Sequence, residues 1–153
     1  MNGSLLAGDT YYLVAEIDGQ IVASGGLSYV GREDHAVLSY GLVHPSRQGK
    51  GIGTALVLAR LALLRPNGLH YSVFIFALKQ SMGYYRRFGF ISSTPWKDIH
   101  DQLHPSGHLF FSPNQILRCR ALLSEHNIIY PQEEDQIPLR TPEAPAASDS
   151  KID

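Results

Sequence analysis

The chain has 153 residues, 44% hydrophobic and 18% charged, with a formal net charge of −1. That length fits one domain able to bury a core, and those fractions are ordinary for a globular protein, which excludes collagen-like, low-complexity and membrane-embedded classes. No run approaches the roughly 20 apolar residues of a membrane span, Met1–Asp9 lacks the pattern of a signal peptide, and the single cysteine, Cys119, excludes an internal disulfide framework and fits a reducing cytoplasm.

Charge divides unevenly along the chain. Between Gln132 and Asp153 lie six acidic and two basic residues, leaving eleven basic and eight acidic residues before them. Such a mild basic excess suits a small anionic ligand. It is too weak for the dense basic face of a nucleic-acid binder.

Thr10–Ile17 is rich in aromatic and β-branched residues and predicts a strand. Asp18-Gly19 supplies a two-residue hairpin turn, and Gln20–Tyr29 reads as the partner strand. Inside it, Gly25-Gly26 predicts a bulge or a close approach of another backbone. After a polar turn at Gly31–Asp34, His35–Val43 predicts a third strand. Strict alternation would place Ala36, Leu38, Tyr40 and Leu42 on one face, and Pro45 stops it.

Gly51–Leu64 reads as a helix, with Ile52, Leu56, Ala59 and Leu63 at helical spacing and Pro66 and Gly68 ending it. Tyr71–Phe76 is an apolar run of the kind expected of a strand buried on both faces. A short helix over Ser81–Phe88 would have Ser81 as N-cap and Gly89 just past its C-terminus. Phe90-Ile91 and His108–Phe111 read as brief strands, and Ser112-Pro113 starts a helix reaching about Glu125. From Pro131 the chain is polar and proline-rich, which predicts a disordered tail. The division is thus a lead over residues 1–9, a domain over 10–126 and a tail over 127–153. The order β-β-β-α-β-α-β-β-α, with early hairpins and one βαβ crossover, implies an α/β fold with a mixed sheet.

The chemistry-bearing segment is His44-Pro45-Ser46-Arg47-Gln48-Gly49-Lys50-Gly51-Ile52-Gly53-Thr54. Three glycines at alternate positions leave backbone N–H groups bare at a helix N-terminus, where the peptide dipoles favour an anion such as a phosphate or pyrophosphate. A nucleoside-triphosphate loop needs a glycine five positions before Gly49, where His44 stands. A dinucleotide fingerprint needs its third glycine at position 54 and an acidic residue about 20 positions on, and both are missing.

The pattern that remains, Gln/Arg-x-x-Gly-x-Gly/Ala, is met by Gln48-Gly49-Lys50-Gly51-Ile52-Gly53. Together with Leu42–Thr54 as a whole it resembles the central motif of the GNAT family of acetyl-CoA-dependent N-acetyltransferases. A second stretch, Tyr84-Tyr85-Arg86-Arg87-Phe88-Gly89-Phe90, is similar to that family's aromatic-Tyr-x-x-x-Gly-Phe motif at the expected distance. The resemblance spans about Tyr11 to Phe111.

It implies an acyl-CoA N-acyltransferase fold in which backbone amides of Gln48, Gly49, Lys50, Gly51, Ile52, Gly53 and Thr54 hold the pyrophosphate of acetyl-CoA. Arg47 and Lys50 would add charge. Leu42 and Val43 would pair through their backbones with the pantetheine arm, admitted where the Tyr71 strand splays from the His35 strand, and an N–H near Leu42 would stabilise the oxyanion. Tyr85 would be the general acid that protonates the leaving thiolate, packing in the core being its alternative role. The acceptor would be a primary amine on a small molecule or a protein.

The residues also depart from the family pattern. Ser39 and Tyr40 stand where many members carry a glutamate as general base, so the resemblance implies a water-relayed base or an amine that arrives deprotonated. Leu78 stands at a position often held by asparagine. Only nine residues precede Thr10, so the family's first strand and helices are expected to be missing. A partner or the helix at Pro113–Glu125 would then close the acceptor side; a homodimer is a separate expectation. An alternative to the enzyme is a non-catalytic CoA-binding or interaction module. No metal is implied: His100, His104 and His108 recur every four residues, but Pro105 and Gly107 break the helix that would align them, and they read as loop histidines. His44 reads as a turn residue and Cys119 as core.

Overall fold

Asp18 and Gly19 both take positive φ, 51° and 76°, the backbone of a tight hairpin turn whose twist matches the strands it joins. The turn sets the register Ile17↔Gln20 between β1 (Thr10–Ile17) and β2 (Gln20–Tyr29). The computed structural model describes residues 10–30, 34–65 and 70–130. The lead, most of the Gly31–Asp34 turn, the Pro66 and Gly68 helix stop and the tail from Pro131 lie outside them.

The elements that follow are β3 (His35–Val43), α1 (Ile52–Ala62), β4 (Tyr71–Phe76), α2 (Met82–Arg86), β5 (Ile91–Lys97), β6 (Leu103–Phe111) and α3 (Pro113–Glu125). Six strands form one sheet in the order β1-β2-β3-β4-β6-β5. β3 and β4 run parallel and every other neighbouring pair is antiparallel. The expected mixed sheet and element order are therefore those observed.

The core lies on the sheet face that carries α1 and α3. Leu27, Ala36, Leu38, Val73, Ile75, Leu109 and Phe111 point into it from the strands. Leu56, Val57, Leu61 and Ala62 meet them from α1, and Ile116, Cys119 and Leu123 from α3. Each of the Val, Leu, Ile and Phe side chains contributes about 1.5–3 kcal/mol by leaving water. α3 starts on a full capping box: the Ser112 hydroxyl accepts from Gln115 N, and the Gln115 side chain accepts from Ser112 N, worth about 1 kcal/mol. Arg120 of α3 donates to the Ala62 and Leu64 carbonyls at 2.9 and 3.2 Å, fastening the C-terminal end of α1. Past Glu125, Ile128 and Tyr130 still pack against the core, so contact with the domain runs on to Tyr130. Among the described residues no helix is long and apolar enough to cross a membrane.

Three expectations need correction. β5 and β6 are full strands where brief ones were expected. Ser92, Ser93 and Pro95 are weak strand formers in isolation, but β5 is an edge strand whose pairing is irregular between Ser93 and Trp96, the place where a proline is tolerated. His104 and His108 consequently lie in β6 rather than in a loop. Ser81 precedes α2, but its backbone is helical and its side chain makes no cap bond, because a 3-10 turn at Lys79–Ser81 leads directly into the helix. Gly89, with φ of 95°, ends that segment as expected.

Candidate active site

The loop between β3 and α1 is built by its own side chains. His44 Nδ1 accepts from Ser46 N at 3.2 Å and shares a 2.8 Å hydrogen bond with Ser46 Oγ, which starts the 3-10 turn at Pro45–Arg47. The exposed Gln48 side chain donates back to the Val43 carbonyl at 3.2 Å. Gly49 and Gly51 have φ of 74° and 81°, with nothing within 4 Å of where a Cβ would stand. Gly51 is the N-cap of α1, no side chain caps this end, and the first turn has no acidic residue. In a helix the first N–H groups have no intrahelical acceptor. Those of Ile52, Gly53 and Thr54 are therefore open to an outside acceptor, and the contrast with the self-capped α3 is direct. Such a bare helix N-terminus favours an anionic group.

Beside the loop the sheet splits. β3 and β4 pair from His35↔Ser72 to Leu38↔Ile75 and then part. On the other side, Gly26 pairs with Ser39 but Ser24 pairs with Leu42, so Tyr40-Gly41 face the single residue Gly25. This bulge puts Tyr40 in the left-handed region, φ 50°, a conformation costing a non-glycine residue roughly 1–2 kcal/mol. It also breaks the expected alternation. Ala36 and Leu38 are buried, while Tyr40 and Leu42 are exposed, and the Tyr40 ring turns toward Tyr12 at 6.3 Å. Past the bulge His44 N donates to Val22 O at 2.8 Å. Strand alternation then turns the Leu42 amide toward β2 and the Val43 amide toward the split.

Tyr85 stands at the head of the split. It packs edge-on against Tyr84 and Phe90 at 5.2 and 5.9 Å, and its hydroxyl lies 3.7 Å from where a Cβ would stand on Gly41. Core packing and a hydroxyl at the split are thus both properties of this side chain. Tyr84 also reaches the loop: its hydroxyl donates to Thr54 Oγ1 at 3.4 Å while Arg87 sits over its ring.

Arg60 escaped the sequence reading altogether. It lies on α1 one turn after Leu56, inside the apolar stripe, and that placement of a cation was the available signal. It is 1% exposed and donates to the Leu56, Gly26 and Ser39 carbonyls at 3.3, 3.2 and 3.2 Å. Burial lowers its pKa, and the neighbouring Tyr85 and Tyr84 oppose that shift.

The remaining candidates lie elsewhere. His104 shares a 2.7 Å hydrogen bond with Asp98 and stacks on Trp96, and His108 stacks on Phe74. Both project from the sheet face away from the core, and His100 sits in the turn before β6. Among the described residues no group of three or more His, Cys, Asp or Glu could hold a metal. Burial raises the Cys119 thiol to about 11, an inert core thiol far from nucleophilic.

A parallel strand pair split beside a glycine turn that feeds a helix defines an acyl-CoA N-acyltransferase fold. The model of the acetyltransferase (GNAT) family matches residues 2–90, more than half of the chain, and the chain belongs to that family. Among solved structures it is similar to an acyl-CoA N-acyltransferase from Pseudomonas aeruginosa, at 28% identity and TM-score 0.57 over 70% of this chain and 72% of that one. It shares the fold of Ard1 from Thermoplasma volcanium, at 18% identity and TM-score 0.58 over 65% and 70% of the two chains. It likewise shares that of an aminoglycoside 6′-N-acetyltransferase solved with coenzyme A, at 12% identity and TM-score 0.59 over 70% and 76%. No curated protein matched the chain.

Proposed function

We propose that the protein transfers an acetyl group from acetyl-CoA to a primary amine, on a small molecule or a protein, by direct attack in a ternary complex in the cytoplasm. The observation that carries this reading is the Tyr85 hydroxyl standing over Gly41 at the head of the split, one element away from an uncapped helix N-terminus. Amides from Gly49 to Thr54 hold the pyrophosphate, the expected Gln48 N–H being already committed to the Pro45 carbonyl at 3.4 Å, and the β3 edge beyond Leu38 receives the arm, with Val43 N–H turned toward it. Acetyl-CoA supplies an activated thioester carbonyl. The amine nitrogen bonds to that carbon, the C–S bond breaks, Tyr85 gives its proton to the departing sulfur, and the amine proton leaves through water. Water fits as the relay because the described part of β3 offers no carboxylate beside the split.

That same lack of a carboxylate favours the second reading, a CoA-binding module without turnover. Free-thiol release from acetyl-CoA with a panel of primary amines separates the two. The enzyme releases thiol in proportion to amine, and Tyr85→Phe slows the release. A protein that is stabilised by CoA yet yields no thiol with any amine is the module.

A further inference from the structure

Burying a charge costs several kcal/mol unless it is matched by partners, so a guanidinium that is 1% exposed calls for a reason. Among the described residues Arg60 pairs with no carboxylate; besides a hydrogen bond with the Tyr85 side chain, it donates to three backbone carbonyls. One of these belongs to its own helix. The other two, Gly26 on β2 and Ser39 on β3, are cross-strand partners at the last regular pair before the bulge.

The surroundings are shaped to admit the guanidinium. A Cβ on Gly25 would stand 2.9 Å from Arg60 Cζ, and one on Gly41 would stand 3.4 Å from Nη2. Gly25 and Gly41 are the residues that face each other across the bulge; a side chain at Gly25 would press on the guanidinium, while one at Gly41 would only reach ordinary contact with it. The same Gly41 position is 3.7 Å from the Tyr85 hydroxyl. Arg60 therefore touches the strand that bulges and neighbours the tyrosine that meets the bulge.

We infer that Arg60 is a positioning residue for acetyl transfer: its guanidinium fixes the bulge that opens the split and holds the Tyr85 hydroxyl at the place where sulfur departs. This assignment rests on the acetyl-transfer reading and deepens it. A fixed cation in a dry site also needs no rearrangement as negative charge grows on the sulfur.

The test is a double-mutant cycle on the full chain. Arg60→Met and Arg60→Lys are made alone and with Tyr85→Phe, and kcat and KM for acetyl-CoA are measured by thiol release. Arg60→Met alone should lower kcat at least about tenfold with KM changed less than about threefold, and Arg60→Lys should recover part of the loss. In the Tyr85→Phe background Arg60→Met should change kcat less than about threefold, because the two act as a unit. An equal loss in both backgrounds, or no loss, overturns the assignment. Should Arg60→Met not fold, Arg60→Lys carries the same comparison.

Amide hydrogen exchange gives a readout independent of turnover. Exchange over Ser39–Val43 should rise at least about tenfold in the Arg60 variant while Val73 and Ile75 keep their protection. Unchanged exchange at Ser39–Val43 overturns the assignment even if the wild-type protein proves inactive. Wild-type protein that neither binds CoA nor releases thiol overturns only the acetyl-transfer reading.

Discussion

Tyr85 is held by the rings of Tyr84 and Phe90, and its hydroxyl lies beside Gly41. Its ring is a packing element and its hydroxyl is the only part left for chemistry, so Tyr85→Phe should preserve the fold. General-acid contributions run to about 10²–10⁴-fold. The expected result is a kcat lowered about a hundredfold with KM for acetyl-CoA and the transition temperature nearly unchanged, read by thiol release and thermal unfolding. Cys119 makes the opposite case, of a reactive group disarmed by its surroundings. Burial favours the neutral thiol and raises its pKa from 9.0 to about 11. Unfolding therefore releases a proton above about pH 9. The stability that the neutral thiol contributes is full below that pH and is lost as pH rises toward about 11. Cys119→Ala should flatten this part of the stability–pH curve, and alkylation of the native protein at pH 8 should proceed only at the rate of unfolding.

At the scale of elements, the two helix starts do different work. α3 closes its own N-terminus with Ser112 and Gln115, whereas α1 begins on Gly51 and leaves its first amides bare. A β-branched side chain at Gly51 would have to adopt φ near 81°, a cost of at least about 1–2 kcal/mol, and would fill the space meant for a ligand. Gly51→Val should lower the transition temperature by several degrees and raise the Kd for CoA at least about tenfold, measured by titration calorimetry. The loop was legible in the sequence because backbone exposure is written directly as glycine. The bulge was legible only as Gly25-Gly26; the strand opposite reads as unbroken alternation, and nothing in Ser39-Tyr40-Gly41 itself announces a left-handed tyrosine. β5 was under-read because pairing with β6, and not local propensity, makes Ser92–Pro95 a strand.

For the whole molecule, element order and the mixed sheet could be read from hairpin signals, one crossover and helix punctuation. What joins the parts could not. Arg60 is 34 and 21 residues from Gly26 and Ser39, whose carbonyls it bonds, and a cation in an apolar stripe shows its partners only once the sheet is assembled. The same holds for Tyr84, whose link to Thr54 spans thirty residues. The central claim is that the glycine loop and the split form one acyl-CoA site, and the transition temperature measured with and without CoA tests it most directly. A ligand that binds the folded state alone at a hundredfold excess over its Kd adds about 2.7 kcal/mol, which for a domain of this size corresponds to several degrees. The account expects that rise, and expects Gly51→Val to abolish most of it. A transition temperature unmoved by millimolar CoA would contradict it.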